Sequence, residues 1–235
     1  MNTRRFAVTI LTTTMVLAGS LAARADDGPS ACRDLPSHSA VAQCAQRPRA
    51  RRATAGSTWT CGARSSTATA SSARWHSPGD GRGDQWPGSR VISAQKANTA
   101  NAFSLPHLAL STANLFTAVQ PGGSLFGLQA SNPVDTGVAY GGNAANFGRS
   151  NDPMVGGRIG GVNVFGGGLP LYNSSGRLVG ALGVSGDSSC ADHNIAWRTR
   201  NNLNLDYVPA GVSGDDDRPD NIVYDITPQA GQMPA

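Results

Sequence analysis

Residues 166–205 read GGGLPLYNSSGRLVGALGVSGDSSCADHNIAWRTRNNLNL, and this stretch decides the fold. Leu169 and Leu171 alternate with Pro170 and Tyr172, the two-residue period of a strand. Asn173-Ser174-Ser175-Gly176 is turn chemistry, because Asn and Gly tolerate positive φ. The following run, Arg177 to Ser185, is small and apolar on both faces, which predicts a central strand covered on each side. Its glycines predict that another backbone or a ligand comes close. A helix starts abruptly after it. Ser189-Cys190-Ala191-Asp192 fits a capping box with Ser189 as N-cap and Asp192 reaching back. Ala191 and Ile195 share a face, so the helix can lie on the sheet.

Outward from this stretch, Val91 to Phe103 reads as a helix with small residues at Ala94, Ala97 and Ala102. Pro106 separates it from a second expected helix, His107 to Val119, ended by Pro121-Gly122-Gly123. Asn132 to Asn151 is rich in Gly and Asn and reads as a surface loop leading to an expected strand, Val162 to Phe165. Asp34 to Gln43 reads as the start of an amphipathic helix.

The amino terminus reads as a secretory signal. Arg4 and Arg5 precede an apolar run from Phe6 to Leu21, and Ala23-Arg24-Ala25 fits a cleavage site. The mature chain then begins at Asp26 and is secreted or periplasmic, with no stable membrane span after cleavage. Export makes disulfides among Cys32, Cys44, Cys61 and Cys190 permissible, in pairings the sequence leaves open.

The net charge of +4 is unevenly placed. Three arginines lie in the signal and six between residues 45 and 79, and neither segment has an acid; the rest of the chain is therefore at −5. A nucleic-acid partner inferred from the basic pI would rest on the least patterned segment, so none is expected.

Residues 45–79 show no apolar period of either kind. Shifting a GC-rich coding string for Gly56 to Gly79 by one base yields two apolar runs around an Asp-Gly turn, as a hairpin requires. The expectation is a pair of compensating frame changes, with the first hairpin of the sheet lost and the segment largely irregular. The organisation expected is a signal peptide over 1–25, a disrupted segment over 26–79, a folded domain over 80–226 and a flexible tail over 227–235.

The motif from Gly167 to Trp197, with its hairpin, its "GALGVSG" strand and its "CADH" helix, resembles the GlcG/HbpS family of haem-degrading and haem-binding domains. Arg90 to Ser104, RVISAQKANTANAFS, looks like that family's Lys-Ala helix. The resemblance implies an α+β fold: a mostly antiparallel, profilin-like sheet flanked by helices. It implies haem as cofactor, assembly into a homo-oligomer, and a link to haem degradation or redox sensing. Candidate haem-binding residues are His193 and His107, each as an axial ligand or a pocket acid, and Arg158, as a cation for the propionates. Each has a plainer alternative: His193 as a core or solvent-facing histidine, His107 as an ordinary helix-start residue, and Arg158 as a surface charge.

Other motifs carry less. Gly157 to Gly168 is glycine-dense but precedes a strand, so it fails as a dinucleotide fingerprint. Gly183-Val184-Ser185-Gly186 lacks the spacing of a hydrolase elbow. Asp215, Asp216 and Asp217 with Asp220 read as an acidic loop before a cation site. No constellation demands catalysis, and no metal ligand set is expected. A non-catalytic assembly module without cofactor is the alternative reading, and an enzyme acting on 2-hydroxy acids a third.

Overall fold

The computed structural model describes residues 56–61, 71–76, 86 and 88–222. The expected signal peptide, the helix start at 34–43, Cys32, Cys44 and the tail lie outside the described residues.

The sheet has four antiparallel strands. In chain order they are β1 (Gly56–Cys61), β2 (Ser71–His76), β3 (Gly168–Tyr172) and β4 (Leu178–Ser185). Their spatial order is β2-β1-β4-β3, so β4 is central. The hairpin β3–β4 turns at Asn173, whose Oδ1 accepts from the backbone N–H groups of Ser175 and Arg177. Gly176 takes φ +70° there. The α+β class, the antiparallel sheet and the central position of the glycine-laced strand are as the sequence predicts.

The first hairpin, expected to be lost, is present. β1 pairs with β2 across a bulge between Trp59 and Thr60, and with β4 from Gly56↔Ser185 to Thr60↔Ala181. Segment 26–79 is thus not irregular throughout. The physical reason is that a strand ladder is made by backbone groups, and any extended segment that satisfies them can join. Thr58, Trp59 and Thr60 are moreover of the β-branched and aromatic types that suit strands.

Helix α1 (Ser89–Phe103) and the carboxy-terminal helix α4 (Ser189–Asn202) cover opposite faces of the sheet. Side chains alternate along β4, so Leu182 and Val184 point one way and Ala181 and Gly183 the other. Leu182 and Val184 join Leu169, Leu171, Val179, Ala196 and Leu205 in one buried cluster beneath α4. The other face is nearly bare. Gly168 and Gly183 are register partners, and α1 lies against both. A Cβ on Gly183 would come within 1.9 Å of the Ser93 carbonyl oxygen. Ser93, Ala97 and Ala100 are fully buried on the helix side of this contact. Two glycines and a row of small residues therefore let helix backbone approach strand backbone.

α1 ends where Ser104 becomes extended, two residues before Pro106. The helix expected over His107–Val119 is replaced by two 3-10 turns, Thr112–Leu115 and Thr117–Val119. Asn114 Oδ1 accepts from both the backbone and the hydroxyl of Ser111, a local competitor to helix. The Ala109 N–H donates to the Ala210 carbonyl, which holds this segment against the carboxy-terminal strap. Val162–Phe165 is not a strand. Its backbone donors go to side chains instead, Asn163 N–H to Thr99 Oγ1 and Phe165 N–H to Asn163 Oδ1.

The loop expected over Asn132–Asn151 contains a short α-helical turn, α3 (Thr136–Ala139), and a 3-10 turn, Ala144–Asn146, after the similarly short α2 (Leu128–Ser131). The outer edge of β3 is covered in part by the strap: Tyr172 N–H donates to the Leu205 carbonyl, and Tyr207 N–H donates to that of Tyr172. Among the described residues no helix is long and apolar enough to cross a membrane.

Candidate functional site

Three buried cations organise the domain, and each has a carboxylate. Arg90, at the start of α1, donates through Nε to Asp152 Oδ2 at 2.7 Å and through Nη2 to Oδ1. Its guanidinium also lies 3.9 Å from the centre of the Phe147 ring. This pins the glycine-rich loop to α1.

Lys96 lies on the same helix and reaches past the sheet. Its Nζ is 2.9 Å from both Asp192 Oδ2, on α4, and the Val184 carbonyl. Gly167 makes room for the crossing. Its φ is +112°, and a Cβ there would sit 2.9 Å from that of Asp192. Burial pushes the Lys96 ammonium below its ordinary range and the Asp192 carboxyl above its own, and each charge partly offsets the other's shift. Asp192 does reach back as expected, its Oδ1 accepting the Asp187 N–H at 3.1 Å, but that residue precedes the cap, so the capping box is not formed in the expected register. The cap is Ser188, one residue earlier than expected, whose side chain accepts from Ala191 N–H.

Arg200, at the end of α4, donates to Asp220 through both Nη atoms and to the Pro170 carbonyl, and its Nε sits against Asp206. Burial opposes its charge, but Asp220 and Asp206 outweigh that and raise its pKa. Asp220, which the sequence groups with an acidic loop, is instead 1% exposed and committed to Arg200. Asp215 caps its own loop and pairs with Arg218.

The sequence-predicted site residues do not converge. His193 is 3% exposed, and its Nδ1 has no hydrogen-bond partner. Burial lowers its pKa to about 4, with Arg200 and Lys96 lowering it further and Asp220 opposing. It is a neutral core imidazole at pH 7. His107 is exposed at the segment before the 3-10 turns. Arg158 is exposed as well, and it lines a cavity whose described lining includes neither histidine.

That cavity, about 330 Å³, lies between α1 and the loop from Leu128 to Val162. Its walls are Phe103, Leu128, Pro133, Ile159 and Val162, with Asn98, Asn132, Asp135 and Arg158 as polar groups. Asn98 donates one amide N–H to the Gly161 carbonyl, and Asn132 donates to the Leu128 carbonyl and Ser131 Oγ. Asp135 Oδ1 accepts from Val138 N–H as the cap of α3. No ion pair or hydrogen bond engages Arg158 among the described residues, so its charge is free at the rim.

The cavity offers apolar walls and one guanidinium, that of Arg158, beside one carboxylate, that of Asp135. It does not supply an iron ligand: no His, Cys, Met or Tyr is among its described lining residues. Arg158 was legible in sequence as a lone cation. The rest of the lining was not, since Asn98 and Leu128 meet only through the fold.

A family model described as haem-degrading protein, HbpS-like, matches residues 81–200, just over half of the chain. Two solved structures are similar. One is the crystal structure of a PduOC–haem complex, 22% identical, covering 72% of this chain and 91% of that one, with a TM-score of 0.47. The other is ORFY of Klebsiella pneumoniae, a DUF336 protein, 21% identical, covering 72% and 90%, with a TM-score of 0.45. None of the curated proteins matches. The match spans α1, the loop that walls the cavity, the hairpin of β3 and β4 and nearly all of α4, and on it the chain belongs to the HbpS-like family of haem-degrading proteins.

Proposed function

We propose that this is an exported haem-binding protein, with the cavity beside α1 as the place where the porphyrin docks. The observation that carries this reading is family membership over the same residues that build a free-cation, apolar-walled cavity. Arg158 holds a propionate, and Phe103, Leu128 and Val162 pack on the ring. The iron, when bound, supplies the redox and oxygen chemistry; this chain's residues bind and orient the ring. His193, neutral and enclosed, acts as a packing residue, and His107 stands apart from the cavity lining. A role in haem degradation or redox sensing is the finer part of the proposal, as is self-association. The latter is supported by the exposed ring pair Phe116 and Phe165, whose centroids are 6.5 Å apart.

The test is a haemin titration of the full chain. A Soret shift that saturates at one equivalent per chain is expected. An unshifted spectrum at tens of micromolar haemin sinks the reading.

The second reading, an assembly module without cofactor, draws on one observation. The buried cations Arg90, Lys96 and Arg200 are each tied to carboxylates, so none is left to act as acid or base. The same titration separates the two.

The unpatterned stretch 45–79 is proposed to descend from two compensating frame changes, one near Ala42 to Arg49 and one near Gly79. The coding sequence decides this: if no single-base slip opens an apolar hairpin there, the idea is wrong.

A further inference from the structure

We infer that the cavity beside α1 recognises the carboxylate and apolar face of a tetrapyrrole and not its metal, so that iron-free porphyrin binds as tightly as haem. This rests on the haem-binding reading and narrows it.

Three observations carry it. The walls are hydrocarbon: Phe103 and Ala102 on α1, Leu128, Pro133, Ile159 and Val162 on the loop. Such a surface gains from burying a ring face whatever stands at the ring's centre. The charge at the rim is a guanidinium with no bond to the protein among the described residues, whereas the buried cations Arg90, Lys96 and Arg200 are all paired. A guanidinium takes a carboxylate through two parallel N–H···O bonds. Finally, the polar groups inside the cavity are already partly spent. Asn98, Asn132 and Asp135 each bond backbone groups, which leaves one Asn98 N–H, the side-chain amide oxygens and one carboxylate oxygen. Those are not the ligands a haem iron takes axially, which are imidazole, thiolate, thioether or phenolate.

The exposed Asp135 carboxylate disfavours a ligand carboxylate on its own side of the cavity. One propionate therefore meets Arg158 at the rim, and the ring's opposite edge enters. At about 330 Å³ the cavity takes part of a porphyrin, and the rest projects over the loop.

The experiment compares haemin with protoporphyrin IX on the full chain, followed by absorbance for the first and fluorescence for the second. Two variants accompany it. Ala102→Trp fills the cavity from an exposed helix position and leaves the core intact. Arg158→Gln removes the charge, with Arg158→Lys as the conservative partner. The expected result is equal affinity for the two ligands within about threefold. Arg158→Gln should weaken both about tenfold, the size of one charge-assisted bond. Arg158→Lys should recover part of that loss, and Ala102→Trp should abolish both. If haemin binds and protoporphyrin IX binds more than tenfold worse, the inference falls and the haem reading stands. The inference falls in the same way if haemin binding survives Ala102→Trp unchanged. If neither ligand binds the unaltered chain, both fall.

Discussion

The two faces of the sheet are built on opposite principles. Under α4, Leu169, Leu171, Leu182 and Val184 form a dry cluster with Ala196 and Leu205. Its stability comes from apolar area removed from water. Under α1 there is almost no side chain to bury. Gly168 and Gly183 face Ser93, Ala97 and the Lys96 backbone, and helix and strand meet main chain to main chain. Two of the three buried charge networks start from this second side, Arg90 with Asp152 and Lys96 reaching Asp192 on α4, with the Arg158 cavity beyond them; the third, Arg200 with Asp220 and Asp206, closes the end of α4. The lesson is one of division of labour. The apolar cluster holds the fold, while the thin face lets Lys96 on α1 reach the Val184 carbonyl and Asp192. A helix pressed that near the strands also brings its outer side within reach of the loop from Leu128 to Val162, which is how the cavity acquires walls.

The largest expected effect breaks the thin face at its charge. Asp192→Ala leaves Lys96 buried without its carboxylate, and chemical denaturation should show a loss of about 4 kcal/mol. If the loss is under about 1 kcal/mol, Lys96 finds water, and the two faces differ less than the geometry says.

The next test uses adjacent residues in β4 and opposite changes. Leu182→Ala removes volume from the dry face and should cost about 3 kcal/mol. Gly183→Ala adds a single methyl to the thin face and should cost about 2–3 kcal/mol, near the top of the overpacking range. A neutral Gly183→Ala in the same urea titrations would show that α1 can lift off the sheet freely.

The smallest effect is on pH. His193 has a folded pKa of about 4 against an ordinary 6.5, so the unfolded chain binds more protons between those values. Stability contributed by the neutral ring is present above pH 6.5 and is lost as pH falls toward 4. The expected drop between about pH 7 and pH 5 is about 2 kcal/mol. Asp192 and Asp206, whose carboxyls burial raises, act in the opposite sense at the acid end. The difference between the unaltered chain and His193→Gln isolates the histidine. Parallel pH profiles for the two would mean that water reaches the ring.

Much of the molecule is readable from local pattern. The alternation at Leu169 and Leu171, the Asn-to-Gly turn, the two-sided apolar strand and the helix after it all depend on neighbours within a few residues, and the structure keeps them. His107–Val119 departs from its expected helix because Ser111 and Asn114 bond each other locally and Ala109 bonds the distant Ala210. The hairpin of β1 and β2 is not legible in the residue pattern because a backbone ladder tolerates side chains that show no apolar period.

The sequence by itself determined the central strand, its turn and its capped helix, and with them the family. Only tertiary structure decided that Lys96 meets Asp192 across 96 positions, that Arg200 claims Asp220, that His193 is enclosed and that Arg158 is left free beside an apolar cavity. The reason is that secondary structure follows from the spacing of residues along the chain, whereas the partner of a buried charge is whatever the packing of distant elements brings within about 3 Å.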